Sequence, residues 1–61
     1  MSDEELKEME RLTKQRLGNV LGMNEEQQKF VVNMVASFHS TRGAALYNIN
    51  DYLDKCELWG H

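Results

Sequence analysis

Apolar residues recur along this chain with the period of an α-helix. Taken at about 100° per residue from Leu6, the side chains of Met9, Leu17, Val20 and Leu21 fall within about 60° of one line. Leu12 flanks that line and charged residues fill the opposite side. Ser2 as N-cap with Glu5 three positions on is a capping box, and Met1 and Leu6 are placed as a hydrophobic staple across it. The pattern predicts a first helix over residues 3–21. Asp3 with Lys7 and Glu10 with Lys14 are i,i+4 pairs in the favourable order on its wet face.

Gly22 stands where a left-handed C-terminal cap is wanted. Asn24 then reads as an N-cap with Gln27 at the third helical position, and Glu25 and Glu26 lie in the first turn, where the helix end is partially positive. The chain therefore reverses over about three residues into a helical hairpin.

The architecture turns on how far the second helix runs. Ser40, Thr41 and Gly43 are poor helix-interior residues, and Ser40 or Thr41 could cap a third helix. Helical phase points the other way. Measured from Phe30, the residues Val31, Met34, Val35 and Phe38 share a sector of roughly 160° with Ala45, Leu46, Ile49, Tyr52, Leu53, Cys56 and Trp59. The expected fold is all-α, a helical hairpin with a short first helix and a long second helix over residues 25–58, and a break near Ser40–Gly43 giving three helices is the alternative. An unbroken second helix would be about 51 Å long against about 28 Å for the first. Its unpaired half carries Leu46, Ile49, Leu53 and Cys56 at heptad-like spacing, with Trp59 beyond them, a seam that wants another chain. Ala36, Gly43, Ala44 and Tyr47, with Ser40, line the back of the same helix and suggest a second interface through small residues.

Composition strengthens the case for assembly. A chain of 61 residues, 41% of them hydrophobic, supports one small helical domain, residues 1–61, with a marginal core. Its single cysteine excludes an intrachain disulfide. A homo-oligomeric helical bundle, dimer or higher, is the expected remedy.

Charge narrows the partners. The net charge of -3 disfavours a phosphate backbone, and the basic residues ahead of Phe30 are interleaved with acids. Residues 2–10 are too charged for a signal peptide, and residues 30–50 are too polar to span a bilayer. A cytoplasmic protein without membrane insertion is expected, in the host cytoplasm if phage-encoded.

Candidate chemistry is sparse. His39, Ser40, Thr41 and Arg42 form a polar cluster that could hold a small anion, although Arg42 is more simply expected to pair with Asp51 or Asp54 of another chain. His39, Cys56 and His61 are too few and too dispersed for a structural zinc site. Phe30, Phe38, Tyr47 and Tyr52 are expected mostly in the core, with Leu58 and Trp59 at an interface edge. No catalytic or cofactor motif is present, so neither an enzyme nor a cofactor is expected. The leading expectation is a small regulatory or inhibitory protein that acts by protein–protein interaction. The alternatives are an oligomeric binder of a small anionic ligand at residues 39–42 and a helix-turn-helix presenting Asn48, Asn50 and Lys55 to nucleic acid.

Overall fold

The computed structural model describes residues 2–59, and of Trp59 the backbone alone. Within them the chain forms three helices, α1 (Asp3–Leu21), α2 (Glu25–Ser37) and α3 (Arg42–Trp59), each packed on the other two. None of the described helices is long and apolar enough to cross a membrane.

The first two helix boundaries follow the expected local chemistry. At the start of α1, Ser2 Oγ accepts the Glu5 N–H at 3.2 Å, one half of the expected capping box, without the reciprocal bond to the Glu5 side chain, and Asp3, Glu4 and Glu5 lie against the partial positive charge of the helix end. Met1, the other half of the expected staple, lies outside the described residues. The helix stops at Gly22, whose φ of 69° is the left-handed conformation that a side chain would disfavour. Its N–H bonds the Gly18 carbonyl at 3.0 Å, while the Met23 N–H reaches Leu17 O at 3.4 Å. Two residues later the Asn24 capping box is complete. Asn24 Oδ1 accepts the Gln27 N–H at 2.9 Å, and Gln27 Oε1 accepts the Asn24 N–H at 3.0 Å.

The long second helix does not form. Just past the end of α2 the amides shift to tighter i,i−3 bonds, the C-cap Phe38 N–H to Val35 O at 3.0 Å and His39 N–H to Ala36 O at 3.3 Å. Ser37 Oγ also donates back to Met34 O at 2.6 Å. Thr41 then starts a new helix, its Oγ1 accepting the Ala44 N–H at 3.1 Å. In an unbroken helix that N–H would bond the Ser40 carbonyl instead. Local hydroxyl chemistry overrides the apolar phase. The phase carries across because α2 and α3 each need an inward face, and a sector as wide as roughly 160° is matched easily. The first helix, at 19 residues, is also not the short one, since α2 has 13 and α3 has 18.

Because the chain turns back, α3 lies against both other helices. It contributes Ala45, Leu46, Ile49 and Leu53 to the buried core, α1 contributes Leu17 and α2 contributes Val32. Leu6, Met9, Val20, Met23, Val31 and Val35 pack around them, half-buried. Leu46, Ile49 and Leu53, expected as a seam open to another chain, are thus enclosed by their own chain, because the break brings α2 back over the half of the helix that would have stood alone. Cys56 continues the same face, half-buried, and the side chain of Trp59 lies outside the described residues.

Thr41→Ala discriminates the two architectures by sign. Loss of the α3 cap should destabilise the protein by about 1 kcal/mol in urea denaturation. In an unbroken helix the same exchange would stabilise by about 0.5 kcal/mol through the better helix propensity of alanine.

Candidate protein-contact surface

The orientation of α2 decides which side chains remain outside. Gln28 sits over Gly18 of α1, where an added Cβ would approach Gln28 Nε2 to 2.8 Å. Gln28 Nε2 in turn donates to Met23 O at 2.8 Å. Gly18 leaves the space that the Gln28 carboxamide occupies, and a side chain there would push that flexible group aside. With Gln28 fixed there, Val32, one turn on, points into the core at 1% exposure. Met34 stands about 160° round the helix from Val32, on the line of Phe30 and Phe38 at i−4 and i+4. These three are exposed at 67% for Phe30, 43% for Met34 and 79% for Phe38. The expectation of Phe30 and Phe38 in the core is therefore corrected. The apolar residues of α2 span too wide an arc for one small core to cover.

Beside this ridge runs an apolar groove of about 330 Å³. Val31 and Val35 of α2 form one wall and Asn48, Ile49 and Tyr52 of α3 the other, with Leu17, Leu21 and Met23 closing one end. Asn48 Nδ2 is bonded to Ala44 O at 2.9 Å, so one amide donor is already satisfied within α3. Tyr52 is exposed, and hydrogen bonding to the Cys56 sulfur one turn on, followed by the negative charge of that sulfur when ionised, pushes its hydroxyl pKa up. Ridge and groove together form an apolar surface of the kind that marks contact with another molecule.

The remaining predicted site residues are placed differently. Thr41 Oγ1 is engaged as the α3 cap, His39 is half-buried and Ser40 is exposed in the turn. Arg42 bonds Glu10 of α1 in its own chain, which corrects the expected pairing with Asp51 or Asp54 of another chain. The fold brings residues 39–42 next to the side of α1 that carries Glu10. The four residues of the polar cluster thus share one turn, with two of them already tied to protein groups. Of the small residues, Ala36, Gly43 and Ala44 are half-buried, and a Cβ on Gly43 would meet Leu6 Cδ2 of α1 at 3.6 Å, so at Gly43 the row faces α1 of its own chain. Tyr47 is exposed. No group of three or more His, Cys, Asp or Glu that could hold a metal ion occurs among the described residues.

Five of the seven lysine and arginine residues, Arg11, Lys14, Arg16, Arg42 and Lys55, form ion pairs within the described chain. Lys7, Arg11 and Lys14 share one face of α1 and border a groove with Lys29, but Glu10 and Glu25 line it too. Arg11 bonds Glu8 and holds its carboxyl below the usual range, while Lys14 lies 3.7 Å from Glu10. The α3 residues expected to read nucleic acid are also spoken for. Lys55 pairs with Asp51 at 3.1 Å, and Asn50 turns inward.

Asn50 belongs to a polar seam between α1 and α3 that periodicity alone does not reveal. Thr13, fully buried, donates through Oγ1 to Met9 O at 2.7 Å and accepts from Asn50 Nδ2 at 2.7 Å. Asn50 Nδ2 also donates to Leu46 O at 2.9 Å, and Asn50 Oδ1 accepts from Arg16 at 2.9 Å. Arg16 extends the seam to Asp54 at 2.8 Å and Glu57 at 3.0 Å, bonds that raise its own pKa. Its signal in the sequence is Thr13, a hydroxyl that falls within about 20° of the apolar line of α1 at about 100° per residue.

No family model, no curated protein and no solved structure matches this chain.

Thr13→Val should cost about 1 kcal/mol in urea denaturation, because it strands one half-buried Asn50 N–H while conserving volume. A variant as stable as the wild type would show that the Thr13–Asn50 bond contributes nothing to holding α1 on α3.

Proposed function

We propose that this chain is a small, non-enzymatic regulatory or inhibitory protein of the cytoplasm that acts by protein–protein interaction, through a helical bundle that assembles with further chains. One observation carries this reading. After three helices have packed, Phe30 and Met34 on α2, Phe38 at its C-cap, and Tyr47, Tyr52 and Leu58 on α3 still expose 43–79% of their surface. A 61-residue chain that closes its own core yet keeps this much aromatic and aliphatic surface in water is built to be covered. Aromatic side chains supply large, rigid contact area and dominate the energetics of protein interfaces. The paired charges on the remaining surface suit a solvated exterior and offer few free cations to a phosphate backbone.

The test compares the wild type, in its native solution state, with two double variants: Phe30→Asp with Phe38→Asp, and Tyr47→Ala with Leu58→Ala. All these side chains are exposed, so helicity should be unchanged by circular dichroism. The wild type should retain a stoichiometric protein partner from its native cell extract, and at least one double variant should lose it. Absence of a partner, or retention indifferent to both variants, would contradict the proposal.

A further inference from the structure

The α2 ridge is symmetric in its own sequence. Phe30, Met34 and Phe38 are spaced four apart, so the row Phe-Met-Phe is the same from either end. A two-fold axis through Met34 sets α2 antiparallel to its copy, with Phe30 opposite the copy's position 38 and Met34 opposite itself. That is the self-complementarity an isologous dimer requires. The ridge also adjoins a groove of its own helix, walled by Val31, Val35 and Tyr52, with a volume of about 330 Å³. Anchors at i, i+4 and i+8 beside a hydrophobic groove are the two halves of a helix-in-groove contact, and this molecule carries both.

From these features we infer that the α2 face is covered by a second copy of this chain, in an antiparallel pair centred on Met34. The inference rests on the reading of this face as a protein-contact surface and names the protein. Area supports it. An aromatic side chain offers about 150–250 Å², so at exposures of 67%, 79% and 58% the rings of Phe30, Phe38 and Tyr52 present on the order of 400 Å² per chain. Full burial of these rings in both chains would remove about twice that, and Met34, Leu21 and the polar rim add to it toward the range of about 1,200–2,000 Å² of a stable interface. Charge does not oppose it at the centre. No charged side chain belongs to the ridge or the groove walls, so the net charge of -3 on each chain is held away from the two-fold axis.

Two measurements on the purified chain test the inference. The first is solution mass by light scattering from micromolar to millimolar protein, for the wild type and Met34→Asp, with helicity measured on the same samples. The expected result is a species of twice 7.1 kDa for the wild type and a helical monomer for the variant. The second is disulfide capture in a Cys56→Ala background, which keeps the inference testable should Met34→Asp fail to fold. Met34→Cys should cross-link to itself, Phe30→Cys should cross-link to Phe38→Cys when the two are mixed, and Leu12→Cys on α1 should not cross-link.

A wild type that stays monomeric at millimolar concentration overturns the inference. If retention of a partner from extract then still depends on Phe30 and Phe38, the face serves a different protein and the functional reading survives. A dimer indifferent to Met34→Asp, or cross-linking at Leu12→Cys in place of Met34→Cys, overturns the antiparallel α2 pair directly.

Discussion

The fold depends on α3 being covered from two sides at once. Leu46, Ile49 and Leu53 are buried only because Leu17 approaches from α1 and Val32 from α2. Neither helix alone could enclose that face. For α2 to reach it, the chain must reverse between Ser37 and Arg42, so a four-residue turn held by hydroxyl and i,i−3 bonds determines whether the protein has a core of its own. This explains why residues with poor helix propensity sit in the middle of an otherwise helix-favouring chain.

The three helices are not held alike. Side chains tie α1 to α3 along its length, through Arg42 to Glu10 near the turn, Asn50 to Thr13 in the middle, and Arg16 to Asp54 and Glu57 beyond. The exposed ion pairs contribute little each, and the buried Thr13 and Asn50 bonds fix the register of the pair more than they stabilise it. α2 is fixed instead by its caps, by Gln28 lying over Gly18 and by aliphatic contact through Val31, Val32 and Val35. A helix anchored along one narrow line, with aromatic residues on its far side, is where further apolar contact adds most to stability. The same arrangement that closes the core through Val32 turns Phe30, Met34 and Phe38 outward.

Much of this was legible in the sequence wherever structure is decided locally. The Ser2, Gly22 and Asn24 boundaries follow from side chains within three or four residues of each helix end, and all three are found. Thr41 was legible as a cap, but apolar phase outweighed it, because phase records which residues face inward and is silent on whether one helix or two carry them. Leu46, Ile49 and Leu53 were recognised as apolar and assigned the wrong neighbour for that reason. Phe30 and Phe38 escaped because hydrophobicity alone does not say which part of a wide apolar arc wins the limited interior. The packing of α2 against both α1 and α3 decides that, and it joins residues from different helices. Arg16 and Asn50 meet across more than thirty positions, a distance no local pattern spans.

The reversal at residues 38–41 is the claim on which the rest stands, and a distance across it is the most direct test. Spin labels placed at Glu26 and Lys55 in a Cys56→Ala protein, diluted with unlabelled chain to isolate intramolecular pairs, would measure it by pulsed dipolar spectroscopy. In the three-helix fold both positions lie toward the same end of a molecule that measures 35 × 21 × 21 Å, so a separation well under its length is predicted. An unbroken helix would hold the same two positions about 44 Å apart at 1.5 Å per residue, and that result would contradict the account.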